Sequence, residues 1–222
     1  MTNGSASIWR RPARGGRGPT PSFDRDRLAA AGVALADERG LAAVTMRAVA
    51  EALGSKPASL YRYIRTRDEL IELMVDRVNG EILRPADGDG WRTELLALAR
   101  SGRDCYRRHP WLLDATASAH PMGPRTLDYL EDALSVLRDV PLPPGRKLEA
   151  IAVLNALTAA LVRNELNSHQ RSLPIGESEL APGPDSHPML TAALAAGTEA
   201  EQDDEAEVFD RIVAGVISGL LG

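Results

Sequence analysis

Hydrophobic residues recur along most of this chain with the period of a helix. From Asp24 the apolar or small positions Leu28, Ala31, Gly32 and Leu35 fall three or four residues apart, and Gly40 ends the run as a C-terminal capping glycine does. Thr45 is placed to cap a short helix with Met46, Val49 and Leu53 on one face, closed by Gly54. Ser55 can cap the next helix, with Pro57 in its first turn, where a missing N–H costs little, and Leu60 and Ile64 as its buried side. Thr66 and Glu69 make a T-x-x-E capping box that opens a longer helix through Ile71, Met74, Val75, Val78 and Ile82.

Pro85 to Gly90 (PADGDG) is the turn-rich break that best marks a domain boundary. Beyond it the helical reading continues over Trp91–Arg108, Trp111 to about Ala119, Arg125–Arg138, about Arg146–Ser168, a short segment around Leu190–Ala196 and about Glu205–Leu221. Residues 171–188 hold four prolines and two glycines and read as a loop. Residues 1–22, rich in Gly, Ser, Pro and Arg and without periodicity, read as a disordered basic arm. Strand alternation, internal repeats and heptad arrays are all missing. The expected fold is all-α: a three-helix head over 23–67, a connecting helix over 68–84 and a larger helical body over 85–222.

Charge sharpens this division. The net charge of −5 argues by itself against a partner made of nucleic acid. Residues 1–67, however, hold twelve Arg and Lys against five Asp and Glu, an excess of seven positive charges, so the remainder carries −12. A basic head on an acidic body suits a polyanion ligand at one end only. Cys105 is the single cysteine, which excludes an internal disulfide and fits a reducing cytoplasm. No apolar run approaches the length that spans a bilayer, and no secretory signal pattern opens the chain, so neither a membrane partner nor export is expected.

The segment Thr45–Arg67 (TMRAVAEALGSKPASLYRYIRTR) carries the chemistry. Two short helices about a glycine-centred turn make a helix-turn-helix, whose second helix enters the DNA major groove. On that helix Lys56, Ser59, Tyr61, Arg62 and Tyr63 face solvent and offer donors for phosphates and bases with aromatic rings interleaved.

Here the sequence resembles the TetR family of bacterial regulators. The matching residues are Glu38-Arg39-Gly40-Leu41, Thr45-Met46-Arg47-Ala48-Val49-Ala50, Leu53-Gly54, Ser59-Leu60-Tyr61-Arg62-Tyr63 and Arg67-Asp68-Glu69-Leu70. The resemblance implies that Leu60 is core and that Tyr61 packs on the phosphate backbone. It places Lys56, Pro57, Ser59, Arg62 and Tyr63 at base- or backbone-facing positions. It makes Thr45 and Arg47 backbone contacts from the preceding helix, and Arg67 one from the start of the fourth. More loosely, Trp91-Arg92, His109-Pro110-Trp111-Leu112 and Leu127–Leu137 resemble the tetracycline-repressor-type C-terminal domain, whose helices enclose a ligand cavity and pair with a second subunit. Tetracycline repressors hold a drug–magnesium chelate; the nearest candidates here, His120 and Glu165, sit in sequence that departs from that pattern. No structural metal and no cofactor are expected.

Phe209, Ile212, Val213, Val216, Ile217 and Leu220 form a wide apolar stripe on the last helix, and Gly215 and Gly219 would admit a close second helix. This stripe is the expected homodimer interface. Candidate ligand-contacting residues are His109, Trp111, Asp114, His120, Tyr129, Asn155, Thr158, Arg163 and Asn164, polar or aromatic groups on otherwise apolar helices. The expected activity is that of a cytoplasmic repressor released from a pseudo-palindromic operator by a small apolar effector. The alternative is a constitutive regulator or activator with no small-molecule input. An enzyme is not expected, because the sequence carries no nucleophile–base motif, phosphate-cradling loop or metal-ligand spacing.

Overall fold

The computed structural model describes residues 8–11, 24–83, 90–117, 122–170 (168–170 as backbone only), 187–192 and 204–222. Among these, regular structure is helical throughout: α1 (Arg25–Arg39), α2 (Met46–Ala52), α3 (Pro57–Leu60), α4 (Arg67–Asn79), α5 (Trp91–Arg108), α6 (Leu112–Ala115), α7 (Pro124–Val136), α8 (Pro144–Gln170) and α9 (Glu205–Leu221), with a helical turn at 188–192. The expected break at 85–90 falls almost wholly outside the described residues, as do His120 and most of the 171–188 loop.

Local chemistry accounts for the helix boundaries. Thr45 Oγ1 accepts the Ala48 N–H at 3.1 Å to start α2. Thr66 Oγ1 accepts the Glu69 N–H at 3.1 Å, and Glu69 reaches back to the Arg65 N–H at 2.6 Å, closing the capping box at α4. Gly54 holds the turn between α2 and α3 at φ +61, a conformation that costs a side chain with a Cβ about 1 kcal/mol or more. One cap differs from expectation. The residue before α3 is Lys56, which makes no side-chain cap, and the Ser55 N–H goes to the Ala50 carbonyl at 2.8 Å. Pro57 at the first helical position removes one of the first turn's orphan N–H groups, and the Ser59 N–H goes to the Lys56 carbonyl at 2.9 Å.

Two hydrophobic clusters organise the molecule. The head cluster joins Leu28, Val49, Leu60, Ile64, Leu70 and Met74, and it continues into Cys105, Trp111, Leu112 and Ala115 at the α5–α6 turn. The body cluster is built by α5, α7, α8 and α9 around Leu98, Leu137, Leu154 and Phe209. Packing is therefore continuous from the head into α6, which no composition boundary signals. Cys105 is fully buried, its Sγ–H directed at the Val78 carbonyl, and burial pushes its thiol up to about 12.

Two expectations are corrected. Phe209, Val213 and Ile217 are buried within their own chain, so they are core and not free interface; the apolar stripe of α9 is wide enough to serve two faces. Ile212 and Val216 are half-buried and Leu220 is exposed. Residues 8–11, inside the supposed disordered arm, form a 3₁₀ turn on the head with Ile8 only 1% exposed. The rest of 1–22 lies outside the described residues.

Candidate nucleic-acid interface and its link to the body

Leu60, the last residue of the four-residue α3, and Ile64, beyond the turn that follows it, anchor this segment to the head core at zero exposure and turn its other side outward. Lys56, Pro57, Tyr61 and Arg62 are exposed, and Ser59 and Tyr63 half-buried. Tyr61 is 54% exposed, so its ring face is available to a partner. Thr45 and Arg47 are exposed at the start of α2, on the preceding helix. Arg67 differs from the rest. Its Nε and Nη2 donate to the carbonyls of Val44 and Leu41, both at 2.7 Å, bracing α4 against the turn before α2. Two of its donor groups are thus spent inside the head.

The head joins the body through polar contacts at both ends of α1. At its C-terminal end, Asp37 Oδ1 accepts from the Trp111 indole N–H at 2.7 Å and lies 2.7 Å from His109 Nδ1. The other ring nitrogen of His109 lies 3.2 Å from Glu81, which Arg108 also binds. At its N-terminal end, Asp26 accepts from Arg77 at 2.8 Å and from Arg125 at 2.9 Å. Asp76, buried on α4, accepts the backbone N–H and the hydroxyl of Thr126 in the first turn of α7, and Asn79 donates to the same hydroxyl at 2.9 Å. His109 and Trp111, read from the sequence as ligand-contacting residues, are committed to this joint. Sequence reasoning passed over Asp26, Asp37, Asp76 and Glu81; a carboxylate at position 76 among the apolar residues of α4 was the visible signal.

The joint is sensitive to acid. The Arg125 hydrogen bond, helped by Arg77, holds the Asp26 carboxyl below its usual range. For Glu81 burial raises the value, but bonds from His109 and Arg108 outweigh it and the net shift is downward. A depressed folded value means that the stabilisation is present above the unfolded carboxylate range, about pH 4, and is lost as pH falls through the folded value. Denaturation midpoints should therefore drop as the protein is taken from neutral pH to below about pH 4. In Asp26→Asn with Glu81→Gln that drop should be smaller.

In the body, Tyr129 donates to Asn155 Oδ1 at 2.5 Å between α7 and α8, and burial pushes the phenol up to about 12. Thr158 is buried and satisfied by the Leu154 carbonyl at 2.9 Å. An open groove of about 410 Å³ runs between α6 and α8, with Leu113, Thr116, Arg163 and Asn164 among its lining. Arg163 there pairs with Asp114 at 3.3 Å. A second, wholly apolar cleft lies between α5, α8 and α9, floored by Leu95, Ile151 and Leu154. Glu165 is engaged by Arg103 at 2.9 Å and by Arg107, so it is not held open for a chelate. Among the described residues no cluster of metal-ligating side chains occurs, and no helix is long and apolar enough to cross a membrane.

Comparison with known proteins bears on this arrangement. The family described as bacterial regulatory proteins, tetR family, matches residues 28–74, and the tetracyclin repressor-like C-terminal domain matches residues 84–222. The chain is 37% identical over 192 residues to the HTH-type transcriptional repressor DrrR1 of Streptomyces coeruleorubidus, covering 86% of this chain and 71% of that one. The fold is similar to that of apo ActR from Streptomyces coelicolor, with a TM-score of 0.76 at 25% identity over 92% of this chain and 97% of that one. The structure of ActR in complex with (S)-DNPA gives 0.74 at 25% identity over 90% and 97% of the two chains. The matched families and DrrR1 are regulators by name, not enzymes. The chain belongs to the TetR family of bacterial transcription regulators.

Proposed function

We propose that this protein is a homodimeric repressor that acts in the cytoplasm, reads a pseudo-palindromic operator and leaves it when a small, mainly apolar molecule occupies the body. The observation that carries the reading is the pairing of an exposed, cationic and aromatic segment Lys56–Tyr63, made of α3 and the turn after it, with a head whose α1 and α4 are tied to α6 and α7. Lys56, Tyr61 and Arg62 supply phosphate and base contacts, with Thr45 and Arg47 on the backbone. A molecule wedged among α6, α7 and α8 displaces the two elements that hold α1 and α4, so it tilts the head. Ligand and DNA then weaken each other by the same factor. Similarity to a named repressor and to a protein crystallised with a small molecule supports this choice over a constitutive regulator.

The Tyr129–Asn155 pair links α7 to α8 and is the polar contact assigned to the effector, with Thr158 one turn along α8 and the Arg163–Asp114 pair at the groove. Tyr129→Phe with Asn155→Leu removes both partners together, which costs folding little. The double variant should bind operator like the parent. Release by an active compound, drawn from a panel of apolar aromatic molecules of drug size, should require about tenfold more of it. Gel-shift titration measures both. A compound that binds the body tightly without changing operator affinity would sink the release mechanism and leave the constitutive reading.

A further inference from the structure

We infer that Ile8–Arg11 is a strap that sets the angle of the DNA-reading head on the body, with Trp9 and Arg11 as positioning residues for operator recognition. The segment lies outside both family matches, which begin at residues 28 and 84. In four residues it touches three helices. The Arg11 guanidinium meets Glu69 at 2.6 Å, and both side chains are largely buried. Glu69 is the residue that caps the start of α4, next to the DNA-facing turn, through the Arg65 N–H. From α1, Arg25 Nη1 binds the Ile8 carbonyl at 2.9 Å and the Arg11 carbonyl at 3.1 Å, fastening both ends of the turn. Ile8 completes the head core.

Trp9 reaches the other way. Its ring is packed so closely on Gly123, the residue before α7, that a Cβ there would lie 2.5 Å from Trp9 Cζ2 and 2.3 Å from the Asp76 carboxylate. Glu69 and Asp76 are seven residues apart on α4, roughly 10 Å along its axis. The strap therefore spans two turns of α4, from the edge that meets DNA to the edge that meets the body. A segment needed only to fill the head would stop at Ile8. Trp9 adds contact with α7, an element of the body, so the strap closes the same joint as Asp76–Thr126 from a different side.

The role in operator recognition rests on the DNA-reading assignment above, but the mechanical role can be measured without DNA, ligand or dimer. Nitroxide labels at A52C on the head and R146C on the body, both exposed positions, report the head-to-body distance within one chain. Labelled chains are diluted into unlabelled chains, and buried Cys105 stays unlabelled. The parent should give one narrow distance. Trp9→Leu, which keeps apolar bulk but falls short of Gly123, and Arg11→Ala should each broaden the distribution about twofold, while Trp9→Phe restores it. If Trp9→Leu and Arg11→Ala lower the melting temperature yet leave the distribution narrow, the segment only fills the core and the inference is overturned. In operator selection the strap variants should accept additional half-site spacings. Broadened distances with no operator selected by any form would leave the strap standing and remove the DNA-reading assignment instead.

Discussion

Arg62→Ala and Lys56→Ala are each expected to weaken operator binding by about one to two orders of magnitude while leaving helix content, melting temperature and oligomeric state unchanged. Both side chains are exposed, and α3 is held by Leu60 and Ile64 on its opposite side, so nothing in the fold depends on them. Tyr61→Ala should behave in the same way, since a ring left 54% exposed adds little to its own core. The two cationic sites separate by salt. Loss of a phosphate contact lowers the slope of log affinity against log salt by about one unit and acts alike on all sequences. Loss of a base contact relaxes preference at one position and spares the slope. Arg67→Ala should look different from both. It breaks the brace to Val44 and Leu41, so it should lower stability as well as affinity.

In the proposed homodimer, Gly219→Trp is expected to block assembly, seen by light scattering as half the mass of the parent. A Cβ at Gly215 or Gly219 meets nothing within 4 Å in its own chain. A side chain there starts into open space in its own chain and would occupy the room that the proposed partner helix needs. Leu220 of α9 is exposed, and α8 exposes the small apolar positions Ala152 and Val153. The contrast is Val213→Glu. Val213 is fully buried, so that change should unfold the body and says nothing about assembly. Operator affinity should fall with Gly219→Trp, because one half-site alone binds weakly at physiological salt. An unchanged dimer in both Gly215→Trp and Gly219→Trp would put the interface on another face.

Much of this was legible in the chain because the deciding interactions are local. Thr45, Thr66 and Glu69 lie within four residues of the N–H groups they cap, and Gly54 needs only its own φ. The exposed face of α3 follows from the spacing of Leu60 and Ile64. The joint was not legible, since Asp37 and His109 stand 72 residues apart and no periodicity links them. An unpartnered polar pattern and a pattern satisfied by a distant carboxylate look alike in sequence, so the bonds of His109 and Trp111 to Asp37 cannot be seen there. The α9 stripe showed that a face is buried, but an apolar face does not say whether its own chain or a partner covers it. Ile8 and Trp9 are the bulky apolar pair in an otherwise polar, glycine-rich stretch, and that contrast was the one available hint of the strap.

The most direct measurement is selection of random duplex DNA by the purified full chain, followed by binding of the recovered sequence and a scrambled control at physiological salt. The expected result is an inverted repeat whose half-sites lie on one face of the duplex, a preference over the scrambled control of about a thousandfold or more, and loss of that preference in Arg62→Ala. No enriched sequence, or an enriched sequence that Arg62→Ala binds as well as the parent, would contradict the assignment of α3 as the reading helix.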